Sequence, residues 1–271
     1  MTTIGILQGR LSPPPIGRPQ AFPWATWPDE FSLARDCGFE QLEWLVTADR
    51  VAANPIWSDA GLAAIRERMA ATGVAVTSLC ADCFIGRPFV RVPEADRRAS
   101  AELLERLIGQ CARVGIGVVL VPLLEDGAIR DDRERAAVLD ALRPATALAA
   151  ALGVRIGLET DLPAQAVGEL LGQAAAPALG AYYDTGNAVA IGADVVADLQ
   201  ALGAALVGIH IKDRRRGGPS VPLGQGEVPF AAMFAAAAAV GYHGPFILET
   251  PAGHDPAAAA RAQLAFVRSQ I

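Results

Sequence analysis

Short apolar runs alternate with longer amphipathic segments along the whole chain. The runs are four to six residues long, as in buried strands, and the longer segments space their apolar residues at helical intervals. Glycine and proline separate most of these units. The pattern predicts eight strands, at 4–7, 41–45, 74–79, 117–121, 155–158, 179–183, 206–209 and 245–248. It predicts eight helices, at 28–37, 59–72, 93–114, 131–152, 163–171, 194–202, 229–240 and 255–268.

Eight strand–helix units in strict alternation favour an α/β fold of the closed (β/α)₈ kind, the TIM barrel. A doubly wound open sheet also alternates, but its first turn usually carries a glycine fingerprint for phosphates. The first turn here, Gln8-Gly-Arg-Leu-Ser-Pro13, has no such fingerprint and opens a proline-rich loop predicted at 8–15. No linker or change of composition divides the chain, so we predict a single domain over 1–271.

Composition and charge argue against nucleic acid and membrane as partners of this chain. The chain has 23 basic and 29 acidic residues and a formal charge of −6, which argues against nucleic acid as a partner. The first apolar stretch is too short for a signal peptide, and the longest apolar runs fall well below a membrane span. We therefore expect a cytoplasmic protein with no membrane partner.

The cysteines include one CxxC pair, Cys80 and Cys83, among four in all. A zinc knuckle needs a second ligand pair at similar spacing, and the sequence has none. We expect small buried or mouth-lining thiols, without zinc or redox chemistry.

Four metal-competent side chains each follow an apolar run: Glu159, Asp184, His210 and Glu249. They end the fifth to eighth predicted strands, and in a TIM barrel these ends face one mouth. Taken singly, such an acid is often a helix N-cap and such a histidine a core residue. Together, three carboxylates and one imidazole suit one hard-to-borderline divalent ion. Mn²⁺ is the first choice, with Co²⁺, Mg²⁺ and Zn²⁺ as alternatives.

Several motifs resemble the xylose-isomerase-like TIM-barrel superfamily of sugar isomerases and epimerases, nearest to the ketose and L-ribulose-5-phosphate 3-epimerases. The matching stretches are Gly9-Arg-Leu-Ser-Pro13, Ser78-Leu-Cys-Ala-Asp82, Gly157-Leu-Glu159, Tyr183-Asp-Thr-Gly-Asn187, Gly208-Ile-His-Ile-Lys-Asp213, Leu223-Gly-Gln-Gly-Glu-Val228 and Ile247-Leu-Glu249. The resemblance implies a metal-dependent enzyme acting on a small sugar or sugar phosphate through an enediolate. It also implies a homo-oligomer, a dimer or a tetramer.

The resemblance places Glu159 and Glu249 on opposite faces of the substrate. One removes the proton beside the carbonyl and the other returns a proton from the far side. Two such bases invert a stereocentre, whereas one base working on one face favours aldose–ketose isomerisation.

Five further residues are predicted to bind substrate, and Asn187 departs from the family pattern. It stands where many relatives carry a histidine, and its amide binds a hydroxyl but carries no proton at neutral pH. This change favours phosphorylated or acidic sugars. Arg216 matches a substrate-binding arginine of the epimerases. Glu43 ends the second strand, where it could bind a hydroxyl, support a ligand or form a structural ion pair.

Two more cations are candidates for gripping a phosphate or carboxylate together with Arg216. Lys212 lies two residues past His210, so a strand that continues would point both side chains the same way. Arg10 belongs to the first matching motif. Arg214 and Arg215 are expected to lie in a solvated loop.

Three other functions stay open. An inosose dehydratase or a hydroxypyruvate isomerase would use a similar metal and similar carboxylates on the same barrel. An endonuclease-IV-like repair enzyme would carry a three-zinc site, which needs many more histidines than the three in this chain. A non-catalytic sugar-binding barrel has no need of two opposed carboxylates.

Overall fold

A computed structural model describes residues 2–13 and 20–271 of the chain. The strands are β1 (Ile4–Leu7), β2 (Gln41–Leu45), β3 (Ala75–Cys80), β4 (Val118–Leu123), β5 (Arg155–Thr160), β6 (Leu179–Asp184), β7 (Leu206–Ile211), β8 (Asp213–Arg214), β9 (Ser220–Val221) and β10 (Phe246–Leu248). The helices are α1 (Asp29–Cys37), α2 (Asp59–Thr72), α3 (Glu94–Val114), α4 (Asp132–Leu152), α5 (Ala164–Ala174), α6 (Thr185–Ile191), α7 (Val195–Leu202), α8 (Phe230–Ala239) and α9 (Pro256–Arg268).

Eight of the strands form a closed parallel barrel in the order β1-β10-β7-β6-β5-β4-β3-β2. The outer helices return the chain between successive strands, so the predicted single-domain (β/α)₈ fold is confirmed. All eight predicted strands are present, with ends that shift by one or two residues. The proline-rich loop predicted at 8–15 lies outside the described residues from position 14 onward.

Local capping explains where the helices begin and end. The Ser58 hydroxyl accepts from Gly61 N–H at the start of α2, and the Asp131 carboxylate accepts from Glu134 N–H at the start of α4. Gly73 and Gly153 end these two helices in the left-handed conformation that favours glycine.

Pro122 was expected to end the fourth strand, but it lies inside β4. The carbonyl of Leu120 accepts from Ala81 N–H on the β3 side, so Pro122, two residues later, faces that same side. The register between β3 and β4 ends at Leu120, whereas the register with β5 continues to Leu123. The proline therefore removes no hydrogen bond that the sheet needs.

Two elements at the carboxyl ends of the strands were not predicted. Helix α6 begins directly after Asp184, where a loop was expected. The glycine-rich segment after β7, predicted as an irregular loop, contains a two-stranded antiparallel ribbon of β8 and β9. The Asp213 carboxylate anchors the ribbon by accepting from the backbone N–H groups of Gly224, Gly226 and Val228. Both elements shape the mouth of the barrel.

Within the described residues, no single helix is both long and apolar enough to span a membrane. Two helical segments, Thr185–Ile191 and Val195–Ala205, are long and apolar enough only when taken together, and they meet at a bend of 120°.

Candidate active site

The four predicted metal-competent residues lie together at the mouth of the barrel. Glu159 lies in β5, Asp184 ends β6, His210 lies in β7 and Glu249 directly follows β10. All four are buried, with exposed fractions of 8% or less. One ligand atom each from Glu159, Asp184 and His210 lies within 4.8 Å of the others. Glu249 joins this group through its Oε2, which is 3.0 Å from His210 Nδ1.

Asp184 serves two neighbours with its two carboxylate oxygens. Its Oδ1 accepts from Asn187 N–H at 2.8 Å and so caps α6. Its Oδ2 is buried and lies 2.9 Å from Lys212 Nζ, while His210 Nδ1 lies 3.0 Å from Glu249 Oε2. Two carboxylates and one imidazole whose ligand atoms lie this close together fit the donor set of a divalent cation.

Glu43 lies behind His210. Its Oε2 is 2.6 Å from His210 Nε2, and its Oε1 accepts a 2.6 Å hydrogen bond from the Tyr182 hydroxyl. A carboxylate on one imidazole nitrogen fixes the ring and leaves the other nitrogen to face a metal. Glu43 is 0% exposed and does not line the cavity, so its carboxylate reaches His210 and Tyr182 and not the cavity space.

Tyr182 contacts the imidazole and was not predicted as a site residue. Its ring centroid lies 4.7 Å from that of His210, at an angle of 65°. The ring fits because Gly157 and Gly208 on the flanking strands have no side chains; a Cβ at either position would overlap it.

Lys212 joins two of the four residues, as strand alternation predicted. Its Nζ lies 2.9 Å from Asp184 Oδ2 and 2.8 Å from Glu249 Oε2. Burial alone would raise the pKa of Glu249, but Lys212, His210 and Arg10 hold it well below its usual range. Lys212 lines the cavity, where a substrate oxygen can reach it.

Arg10 lies behind Glu249. Its Nη2 is 3.2 Å from Glu249 Oε1 and 2.7 Å from Gln20 Oε1. Gln20 in turn donates to Asp82 at 2.9 Å, and both Gln20 and Asp82 line the cavity although neither was predicted to bind substrate. Arg10 is 8% exposed and does not line the cavity, so it contacts Glu249 from the side away from the cavity.

Asn187 contacts the Glu159 carboxylate, and Arg214 in turn contacts Asn187. Asn187 Nδ2 donates to Glu159 Oε1 at 3.0 Å, and Arg214 Nη1 donates to Asn187 Oδ1 at 3.1 Å. Because a guanidinium only donates, it fixes the amide with its NH₂ group toward Glu159. Burial raises the pKa of Glu159 to about 8, and the Asp184 carboxylate adds to this shift.

A cavity of about 570 Å³ lies at the barrel mouth, and its lining includes Glu159, Asn187, His210, Lys212 and Glu249. Arg214 lines it, contrary to the expected solvated loop, whereas Arg216 lies outside it. Arg216 is exposed, and its Nη2 donates to the carbonyl of Gly192 at 3.4 Å. Cys80 also lines the cavity, and all four cysteines are free and buried, as predicted.

A profile of the family described as xylose isomerase-like TIM barrel matches residues 31–270. The chain belongs to this family. Among its xylose isomerase-like relatives, the L-ribulose-5-phosphate 3-epimerase UlaE of Salmonella paratyphi C is 30% identical over 231 residues. That match covers 82% of this chain and 81% of the relative.

Solved structures give the same fold. An L-ribulose 3-epimerase has a TM-score of 0.77 at 20% identity, covering 100% of this chain and 94% of that chain. The 3-keto-D-glucoside 4-epimerase YcjR of E. coli has a TM-score of 0.77 at 20% identity, covering 99% and 100%. At 20% identity these two structures establish the fold alone.

Proposed function

We propose that the chain is a divalent-metal-dependent epimerase of a ketose or ketose phosphate. The observation that carries this proposal is the placement of two carboxylates on either side of an aspartate–histidine pair. Glu159 comes from β5 and Glu249 follows β10, and β6 and β7 lie between them in the barrel. The epimerase names of the relatives support the same reaction class.

The residues that would hold the ion are Glu159, Asp184, His210 and Glu249, and Mn²⁺ is the proposed metal. A bound divalent ion would polarise the substrate carbonyl and favour negative charge on its oxygen. Carboxylate ligands and one imidazole suit Mn²⁺, and one ligand atom each from Glu159, Asp184 and His210 lies within 4.8 Å of the others.

The chain's own side chains would move the protons. One of Glu159 and Glu249 removes the proton from the carbon beside the carbonyl, and the resulting enediolate takes a proton from the other on its opposite face. Lys212 donates to substrate oxygen within the cavity, and Asn187 keeps the Glu159 carboxyl directed at the reacting carbon. This arrangement inverts one stereocentre.

The test uses metal-stripped protein supplied with Mn²⁺ and a panel of ketoses and ketose phosphates in D₂O. We expect turnover only with metal and deuterium at the carbon next to the carbonyl. Glu159→Gln and Glu249→Gln should each lower kcat by about 10²–10⁴-fold, the usual contribution of a general acid or base. Glu67→Gln on the exposed face of α2 is the matched control.

Product analysis separates epimerisation from aldose formation and from dehydration. A substrate that turns over without taking up deuterium would contradict the enediolate route. The homo-oligomer suggested by the resemblance remains a prediction, and light scattering after size exclusion measures it.

A further inference from the structure

Arg214 lines the cavity with a positive charge that the proposed reaction does not use. It belongs to β8 and is half-buried. Its Nε donates to the carbonyl of Gly218 at 2.9 Å, and its Nη1 donates to Asn187 Oδ1 at 3.1 Å. Both acceptors are neutral. These two bonds fix the plane of the guanidinium at the mouth of the cavity.

The charge of Arg214 has no carboxylate beside it. Within residues 2–13 and 20–271, no carboxylate oxygen comes within the 4.0 Å of an ion pair with its guanidinium. Lys212, the other basic residue that lines the cavity, is held between two carboxylates. A partly desolvated guanidinium without a counter-ion is a binding element for an anion, because charge-assisted hydrogen bonds to phosphate or carboxylate are strong and geometrically specific.

The segment that carries Arg214 is anchored rather than free. The Asp213 carboxylate accepts hydrogen bonds from three backbone N–H groups of the segment that follows β9. Gly217 N–H donates to the carbonyl of Ala190 near the end of α6. Gly217 and Ala190 also line the cavity. An anion at Arg214 would therefore meet a preformed wall of the pocket, with little ordering on binding.

The neighbouring arginines do not share this position. Arg215 is exposed and its Nε donates to the carbonyl of Gln225 at 3.2 Å. Arg216 is exposed and lies against Gly192. Of the three consecutive arginines, Arg214 alone lines the cavity.

We propose that Arg214 is the specificity-determining residue that selects a substrate with an anionic terminal group. The proposal rests on the proposed epimerase function and deepens it. The Asn187 amide is the spacer between Arg214 and Glu159, so the anionic end lies a few bonded carbon atoms from the carbon that Glu159 faces. A phosphate ester and a sugar carboxylate share this chemistry, and the substrates of the test separate them.

The test compares kcat/KM for a ketopentose, its 5-phosphate and a keto sugar acid, in wild type and in Arg214→Gln. We expect wild type to favour one of the anionic substrates, and Arg214→Gln to reduce that preference by about 10–100-fold, the range of one charge-assisted pair. Any loss that acts through Asn187 lowers all three substrates alike and cancels in the ratio. Arg214→Lys should restore part of the preference, because it keeps the charge but loses the planar fork.

Arg215→Gln is the matched control, since it removes the same charge from the next residue along the chain and should leave the ratio unchanged. An unchanged ratio in Arg214→Gln would overturn the proposal, and so would a loss of preference in Arg216→Gln instead. A wild type that treats neutral and anionic sugars equally would overturn it while leaving the epimerase function in place.

If wild type turns over no ketose, a binding measurement tests the role of Arg214 instead. Calorimetry of metal-free protein with the ketopentose 5-phosphate should give a dissociation constant at least tenfold weaker in Arg214→Gln than in Arg215→Gln. Equal constants would overturn the role of Arg214, whereas the expected difference without any turnover would support it and reject the epimerase.

Discussion

Replacing Glu43 by glutamine tests whether this residue supports the metal site or contacts the sugar. The carboxylate is fully buried, with one oxygen on His210 and the other on the Tyr182 hydroxyl, both at 2.6 Å. Glutamine keeps the shape but accepts through one atom only and carries no charge. It therefore weakens the support of the imidazole without creating a cavity.

The expected loss follows from these contacts. Removing the carboxylate partner of a metal-binding histidine usually weakens metal affinity by about 10–100-fold, which corresponds to about 1.4–2.8 kcal/mol. The glutamine still pairs with both neighbours, so stability should fall by only about 1 kcal/mol, or about 2–4 °C in Tm. Affinity for Mn²⁺ should thus change far more than the fold.

The assay is calorimetric titration of metal-stripped protein with Mn²⁺, alongside thermal unfolding by circular dichroism. Glu40→Gln, an exposed change just before β2, is the control and should leave both values unchanged. If Glu43→Gln bound Mn²⁺ within twofold of wild type while its KM for sugar rose, the supporting role would be refuted and the predicted contact with substrate restored.

Three other changes test separate parts of the molecule. Burial raises the pKa of Glu30 to about 7 from 4.5, so the folded protein keeps a proton on this carboxyl that the unfolded chain releases. The free energy of unfolding should therefore fall by about 3 kcal/mol between pH 4.5 and 7. Chemical denaturation should show a smaller fall in Glu30→Gln. Gly208→Ala forces the Tyr182 ring aside and should cost about 1–3 kcal/mol by the same method, with no loss if the ring moves freely. Asp184→Asn keeps a good helix cap and should retain the Tm of wild type while losing Mn²⁺ binding, whereas Asp184→Ala should also lose about 1 kcal/mol of stability.

The barrel and the convergence of Glu159, Asp184, His210 and Glu249 could be predicted because both follow from repetition. Equivalent strand ends recur once per strand–helix unit, and barrel closure brings them to one mouth. The second layer could not be predicted in this way. The pairing of Glu43 with His210 joins residues 167 apart in sequence, and it depends on which side chains point into the closed barrel.

The choice between helix cap and metal ligand was also not a true alternative for Asp184. One carboxylate has two oxygens, and here Oδ1 caps α6 while Oδ2 faces the cluster. Helix α6 was not predicted because Asp184, its N-cap, was interpreted only as a metal ligand. An acidic residue at a strand end is therefore better judged by each oxygen than by the residue as a whole.

Strand geometry explains why Arg214 lines the cavity and Arg216 lies outside it. Side chains alternate along a strand, so His210, Lys212 and Arg214 share one direction from β7 into β8. The prediction for Lys212 rests on this alternation, and the extended backbone of β8 continues it by one more period to Arg214. Strand β8 ends at Arg214, and the turn through Gly217 and Gly218 leaves Arg216 on the outer surface. An extended segment that continues past a buried strand thus carries the site further along the chain than the strand pattern alone indicates.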